Sequence, residues 1–159
     1  SQDSPIIKAV KKVLPAVVSI VMTKNIDCAQ PRFEQKNKKS TAPIKNQKIR
    51  MGGGSGFIVD EKGIILTNRH VIEDSSANYM VILQSGEKIK PEVLARDQIN
   101  DIAILKIDIP ENSIYKKGLP VVECGDSLKL ELGQTVIAIG NALGLFKYTV
   151  SSGVVSGLS

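Results

Sequence analysis

Gly52-Gly53-Gly54-Ser55-Gly56-Phe57-Ile58-Val59-Asp60-Glu61-Lys62-Gly63-Ile64-Ile65-Leu66-Thr67-Asn68-Arg69-His70-Val71 is the stretch on which the fold turns. Two short apolar runs, residues 56–60 and 64–67, flank the turn-forming Glu61-Lys62-Gly63. Strand, tight turn and strand is the simplest arrangement for such a pattern. The same rhythm continues downstream, with short apolar runs at 79–83, 90–95, 102–107, 119–122, 134–139 and 149–155. Ser85-Gly86-Glu87 and Gly140-Asn141 supply further turn signals, and Pro110 closes the run that starts at Ile102. No long helical pattern separates the runs. This predicts an all-β barrel or sandwich rather than an alternating α/β sheet.

Upstream the pattern differs. Ser4-Pro5 reads as a helix start, with serine as N-cap and proline at the first helical position. Ile6, Ile7, Val10 and Leu14 then follow at helical spacing up to Pro15, which predicts one short N-terminal helix. Residues 16–23 are rich in β-branched side chains and read as a strand. Residues 28–50 read as a long polar loop, an uncommon feature that is usually functional or disordered.

The 159 residues suffice for one domain with a real core, and 42% hydrophobic against 23% charged residues fits a globular chain. Only 4% are aromatic and there is no Trp, so the core must be aliphatic. The net charge of +5 is local. Seven basic residues and one acid lie between Pro31 and Arg50, and the rest of the chain is near neutral. Such a segment is either a solvated loop or a patch for an anionic surface or acidic substrate. With Phe33 its one aromatic and no recognition motif around it, nucleic acid is not the expected partner. No run reaches the roughly 18 apolar residues of a membrane span. Cys28 and Cys124 are too few for a disulfide framework and have no metal-ligand spacing. No cofactor pattern is present. The chain starts at Ser1 without Met, which reads as processing or trimming.

His70 is the only histidine, which excludes a multi-histidine metal site. It follows the run at 64–67, so a strand end would hold its ring on a rigid support. A general base must titrate near neutral pH, and histidine alone does so unperturbed. Asp101 immediately precedes the apolar run that starts at Ile102. A partly buried carboxylate there needs a partner, and a histidine N–H is one. Asp97 and Asp108 are the rival acids and are expected to be more exposed. Local sequence leaves Asp101 equally able to be a turn residue bonding its own backbone.

Six segments in order resemble the protease domain of the HtrA/Deg family of serine proteases. They are Gly54-Ser55-Gly56-Phe57-Ile58-Val59, Leu66-Thr67-Asn68-Arg69-His70-Val71, Asn100-Asp101-Ile102-Ala103-Ile104-Leu105-Lys106, Gly125-Asp126-Ser127, Gly133-Gln134-Thr135-Val136-Ile137-Ala138-Ile139-Gly140-Asn141 and Thr149-Val150-Ser151-Ser152-Gly153-Val154-Val155-Ser156. The resemblance implies chymotrypsin-like β-barrels: a complete first barrel and the first two strands of a second. It implies His70 as general base and Asp101 as its orienting acid, and it puts residues 28–50 where the family has its long regulatory loop. Residues 1–122 would form the helix and first barrel, and residues 123–159 a linker and the incomplete start of the second.

Two departures stand out. Ala142 follows Gly140-Asn141 where the family usually has proline. No serine lies in the family's Asn-Ser-Gly-Gly context; Ser55 has glycine on both sides, but in a segment the family uses structurally. The chain is therefore expected to be a fragment of a serine endopeptidase of protein quality control, inactive alone. The alternative is a non-catalytic binding module that keeps a protease-like barrel. By resemblance the substrates would be unfolded or misfolded proteins, the intact protein a homotrimer, and the location the bacterial cell envelope. The last two strands are expected to pack on the first barrel, pair with another copy or be poorly ordered.

Overall fold

The computed structural model describes residues 4–27, 46–141 and 148–158. Most of the polar segment 28–50, including Cys28, lies outside the described residues, as does Ala142.

The chain opens with helix α1 (Pro5–Val13). The Ser4 hydroxyl accepts a hydrogen bond from the Ile7 amide at 3.3 Å, and Lys11 and Lys12 sit in the last turn, where positive charge suits the helix dipole. Pro15 then confines the chain to one 3-10 turn, Leu14–Ala16. Seven strands follow: β1 (Val17–Asp27), β2 (Asn46–Asp60), β3 (Ile64–Asn68), β4 (Asn78–Ile82), β5 (Lys88–Ile89), β6 (Glu92–Asp97) and β7 (Ile102–Lys106). They form one antiparallel sheet in the order β5-β4-β1-β2-β3-β7-β6. Its edge strands, β5 and β6, are consecutive in the chain with only Lys90 and Pro91 between them, so the sheet curls back on itself as a half-barrel. A two-stranded antiparallel sheet, β8 (Thr135–Asn141) with β9 (Tyr148–Val154), comes last.

The quoted stretch forms the hairpin it predicts. Gly63 takes φ +104°, its amide donates to the Asp60 carbonyl at 3.0 Å, and the Lys62 amide donates to Asp60 Oδ1 at 2.7 Å. A Cβ at Gly63 would come within 2.2 Å of the Ile107 carbonyl oxygen. The core is aliphatic, as composition requires: Val18, Ile20, Ile58, Ile65, Ile72, Val81, Leu83, Leu105 and Ile107 are all fully buried. Most strand boundaries shift by one or two residues from the sequence reading, and β5 is a strand it did not contain. β1 runs on to Asp27, and β2 begins at Asn46, so residues 46–50 belong to a strand rather than to the polar loop. Cross-strand pairing along β1 and β2 extends both. The run at 119–122 joins no ladder. Only Leu119 and Val122 donate amides to this hairpin, to the Glu61 and Ile58 carbonyls, because Pro120 has no N–H to give.

Candidate active site

His70 lies in the 3-10 turn Arg69–Ile72 that ends β3. Asp101 lies directly before β7, which pairs with β3 in the register Asn68↔Ile102. Strand pairing therefore brings two positions 31 residues apart to one rim of the sheet. Two hydrogen bonds join them there, and two more tie Asp101 to the residues just before His70. His70 Nδ1 lies 2.6 Å from Asp101 Oδ2, and the His70 amide donates to Asp101 Oδ1 at 2.9 Å. The Arg69 amide and Asn68 Nδ2 both donate to the Asp101 carbonyl, at 3.0 and 3.2 Å.

Asp101 is the one non-glycine residue with positive φ (54°) among the described residues. Aspartate tolerates the left-handed region better than most residues, at a cost on the order of 1–2 kcal/mol. The conformation lets carbonyl and carboxylate of a single residue serve the same Asn68–His70 segment. The preceding turn is held by Asp97. Its Oδ1 accepts from the amides of Ile99 (2.9 Å) and Asn100 (3.2 Å), and its Oδ2 accepts from Asn100 Nδ2 at 2.6 Å. Thus one rival acid supports the loop that presents Asp101. The other, Asp108, is 97% exposed and pairs with Lys106 at 3.0 Å. Neither approaches His70.

The site is open to solvent. The His70 side chain is 61% exposed and that of Asp101 is 40% exposed. The Asp101 carboxyl is held below the usual carboxylate range, first by the hydrogen bond to the His70 ring and then by the His70 amide, with a smaller contribution from the Arg69 charge. It is the ionised form that faces the imidazole, with both oxygens engaged and aimed. With Nδ1 tied to the carboxylate, Nε2 is the ring nitrogen left for proton exchange.

Supporting contacts that the sequence reading missed surround this pair. Just past the His70 turn, Asp74 forms an ion pair with Lys24 of β1 at 2.5 Å. Lys24, then the Ser76 hydroxyl and amide, lower its pKa to about 2. Tyr79 donates its hydroxyl to the Asp74 carbonyl at 2.8 Å. On the other side, Thr67 Oγ1 donates to the Ser55 carbonyl at 2.8 Å. A groove of about 540 Å³ lies between the two sheets, lined by Phe57, Leu66, Asn68 and Ile102 of the large sheet and by Ile137 and Ile139 of β8; His70 and Asp101 do not line it. No local pattern marks Lys24, because its partner Asp74 is distant in sequence.

A histidine held by an aspartate at a barrel rim is the arrangement expected of a trypsin-like peptidase, and the model of the trypsin-like peptidase domain matches residues 54–159. The chain belongs to the HtrA/Deg family of trypsin-like serine proteases. It is 37% identical to HhoA of Synechocystis sp. over 165 residues, covering 99% of this chain and 40% of that protein. It is 35% identical over 125 residues to the "Probable periplasmic serine endoprotease DegP-like" of Brucella suis, covering 79% of this chain and 23% of the relative. It is 38% identical over 144 residues to "Protease Do-like 1, chloroplastic" of Arabidopsis thaliana, covering 83% and 31%. The chain thus spans well under half the length of these HtrA/Deg relatives. Among its described residues no helix is long and apolar enough to cross a membrane.

Proposed function

We propose that this chain is the N-terminal part of an HtrA/Deg protease domain, in which His70 is the general base and Asp101 the acid that orients it. The observation that carries this reading is the 2.6 Å contact between His70 Nδ1 and Asp101 Oδ2, reinforced by the second carboxylate oxygen on the His70 amide. In the reaction, Nε2 takes the proton of a serine hydroxyl as that oxygen attacks the peptide carbonyl. The Asp101 carboxylate stabilises the imidazolium that forms, and Nε2 then returns the proton to the leaving amine. The nucleophile belongs to an Asn-Ser-Gly-Gly segment that the 159 residues do not contain. Ser55 does not lie in that context, and its hydroxyl accepts the Asn141 amide at 2.7 Å. Residues 1–122 are the helix and first barrel, and residues 123–159 begin the second. The substrates are unfolded or damaged proteins. The compartment is the bacterial cell envelope, a reading supported by the name of the Brucella relative. The intact protein is a trimer, to be checked by native mass spectrometry.

The test is hydrolysis of casein by the protein read from the complete open reading frame. Turnover that falls by about 10⁴-fold or more in His70→Ala supports the assignment. Turnover unaffected by that substitution overturns it. A reading frame without a downstream Asn-Ser-Gly-Gly segment would favour the binding-module alternative.

A further inference from the structure

The two sheets meet at a buried polar contact centred on Asn141, the last residue of β8. Its main-chain amide donates to Ser55 Oγ at 2.7 Å, and its side-chain Nδ2 donates to Ser19 Oγ. Ser19 and Ser55 are direct cross-strand partners on β1 and β2, so the two donors of one residue engage a matched pair of hydroxyls. Asn141 is 1% exposed and Ser19 2%. Both donors of Asn141 are thereby paired, as buried polar groups generally are, while its Oδ1 is buried without a hydrogen-bond partner among the described residues. The contact continues toward the site, because the Ser55 carbonyl accepts the hydroxyl of Thr67, three residues before His70. The rest of the β8–β9 hairpin is far less covered: Val136 is 39% exposed, Val150 44% and Val154 58%. The hairpin is therefore anchored at one end.

We propose that Asn141 is a positioning residue that sets the second sheet against β1 and β2, beside the strand whose end leads into the His70 turn. The inference rests on the catalytic reading above and deepens it. The groove at the Asn68 and Ile102 ends of β3 and β7, next in sequence to Arg69-His70 and Asp101, has β2, β3 and β7 on one side and Ile137 and Ile139 of β8 on the other. Its width is therefore a function of where β8 ends. In the proposed enzyme the base comes from the first sheet and the nucleophile from the continuation of the second. A pivot of β8 changes the distance between them, and a misplacement of about 1 Å can cost 10²-fold in rate. Substrate binding remote from the reacting atoms is not touched.

The experiment compares kcat and KM for casein-derived peptides across variants of the complete protein. Asn141→Ala is expected to lower kcat about 10- to 100-fold with KM within threefold. Ser19→Ala, which like Asn141→Ala keeps the main-chain amide bond to Ser55 and removes the side-chain bond, is expected to lower kcat to a similar extent, and Ser19→Thr, which keeps the hydroxyl, to restore it. The Asn141→Ala, Ser19→Ala double variant should be no worse than Asn141→Ala alone, because both remove the same bond. His70→Ala is measured alongside. If it leaves turnover intact, the catalytic reading fails. If it abolishes turnover while Asn141→Ala and Ser19→Ala keep kcat within twofold, the positioning role alone is overturned. Should Asn141→Ala fail to fold, the Ser19→Ala and Ser19→Thr pair decides by the same criterion.

Discussion

Gly54 lies directly against Val71: a Cβ at position 54 would come within 2.5 Å of Val71 Cγ2 and 2.9 Å of Cγ1. Val71 follows His70 in the turn that carries the imidazole, so the bare backbone of Gly54 sets how deeply that turn seats. Gly54→Ala must push Val71 outward and carry His70 away from Asp101. In the complete protein the substitution is expected to lower kcat/KM by about 10- to 100-fold. A Gly54→Ala, Val71→Ala double variant, which clears the overlap, should recover part of the loss. Peptide hydrolysis by the three proteins checks this, and unchanged activity in Gly54→Ala would show that the turn absorbs the strain elsewhere.

Asp101 serves as both charge and backbone shape, and two substitutions separate the roles. Asn also tolerates a φ of 54° and keeps an oxygen for one His70 bond, but it favours the wrong imidazole tautomer. Asp101→Asn is expected to fold with little change in Tm and to lose about 10⁴-fold in kcat in the complete protein. Asp101→Ala loses the carboxylate bonds and meets the left-handed penalty, on the order of 1–2 kcal/mol. Its Tm should fall below that of Asp101→Asn by several degrees. Thermal unfolding followed by circular dichroism makes the comparison, and equal Tm values would remove backbone strain from the account.

The Lys24–Asp74 pair predicts an acid-sensitive contribution to stability. The Asp74 carboxyl is lowered from 3.8 to about 2, chiefly by Lys24 and then by Ser76. A depressed folded pKa stabilises the fold above the unfolded value, and the contribution is lost as pH falls toward the folded one. The Tm gap between the natural chain and Asp74→Asn should therefore be widest near pH 5–7. It should close between about pH 4 and pH 2. A gap constant across that range would mean that the asparagine variant loses packing rather than charge. Asp101, also depressed, loses its contribution on acidification alike in both proteins and so cancels from the comparison.

Gly63 gives the sharpest stability prediction. With φ +104° and a Cβ position 2.2 Å from the Ile107 carbonyl oxygen, Gly63→Ala is strained by both backbone and overlap. The Gly63 carbonyl in turn accepts the Ile107 amide at 2.9 Å, which ties the β2–β3 turn to the end of β7. A loss of about 2–3 kcal/mol or more is expected, read as a shift in urea midpoint at constant slope.

The sequence by itself determined what local chemistry decides. Serine before proline starts α1, Glu61-Lys62-Gly63 turns the β2–β3 hairpin, and β-branched runs make the strands. A near absence of aromatics leaves an aliphatic core. The ordered motifs marked His70 and Asp101, though local sequence left the aspartate free to be a turn residue. Tertiary structure chose between its roles. Pairing of β3 with β7 carries Asp101 across to His70, while Asp97, the rival acid expected to be more exposed, is spent on the turn in front of it. Tertiary structure also decided the seat of Val71 on Gly54 and the bonds from Asn141 to residues 86 and 122 positions away. Those contacts have no periodicity to betray them. Turns and strands follow from torsional preferences of neighbouring residues, whereas a hydrogen bond between distant strands exists only once curvature and register have brought its two ends together.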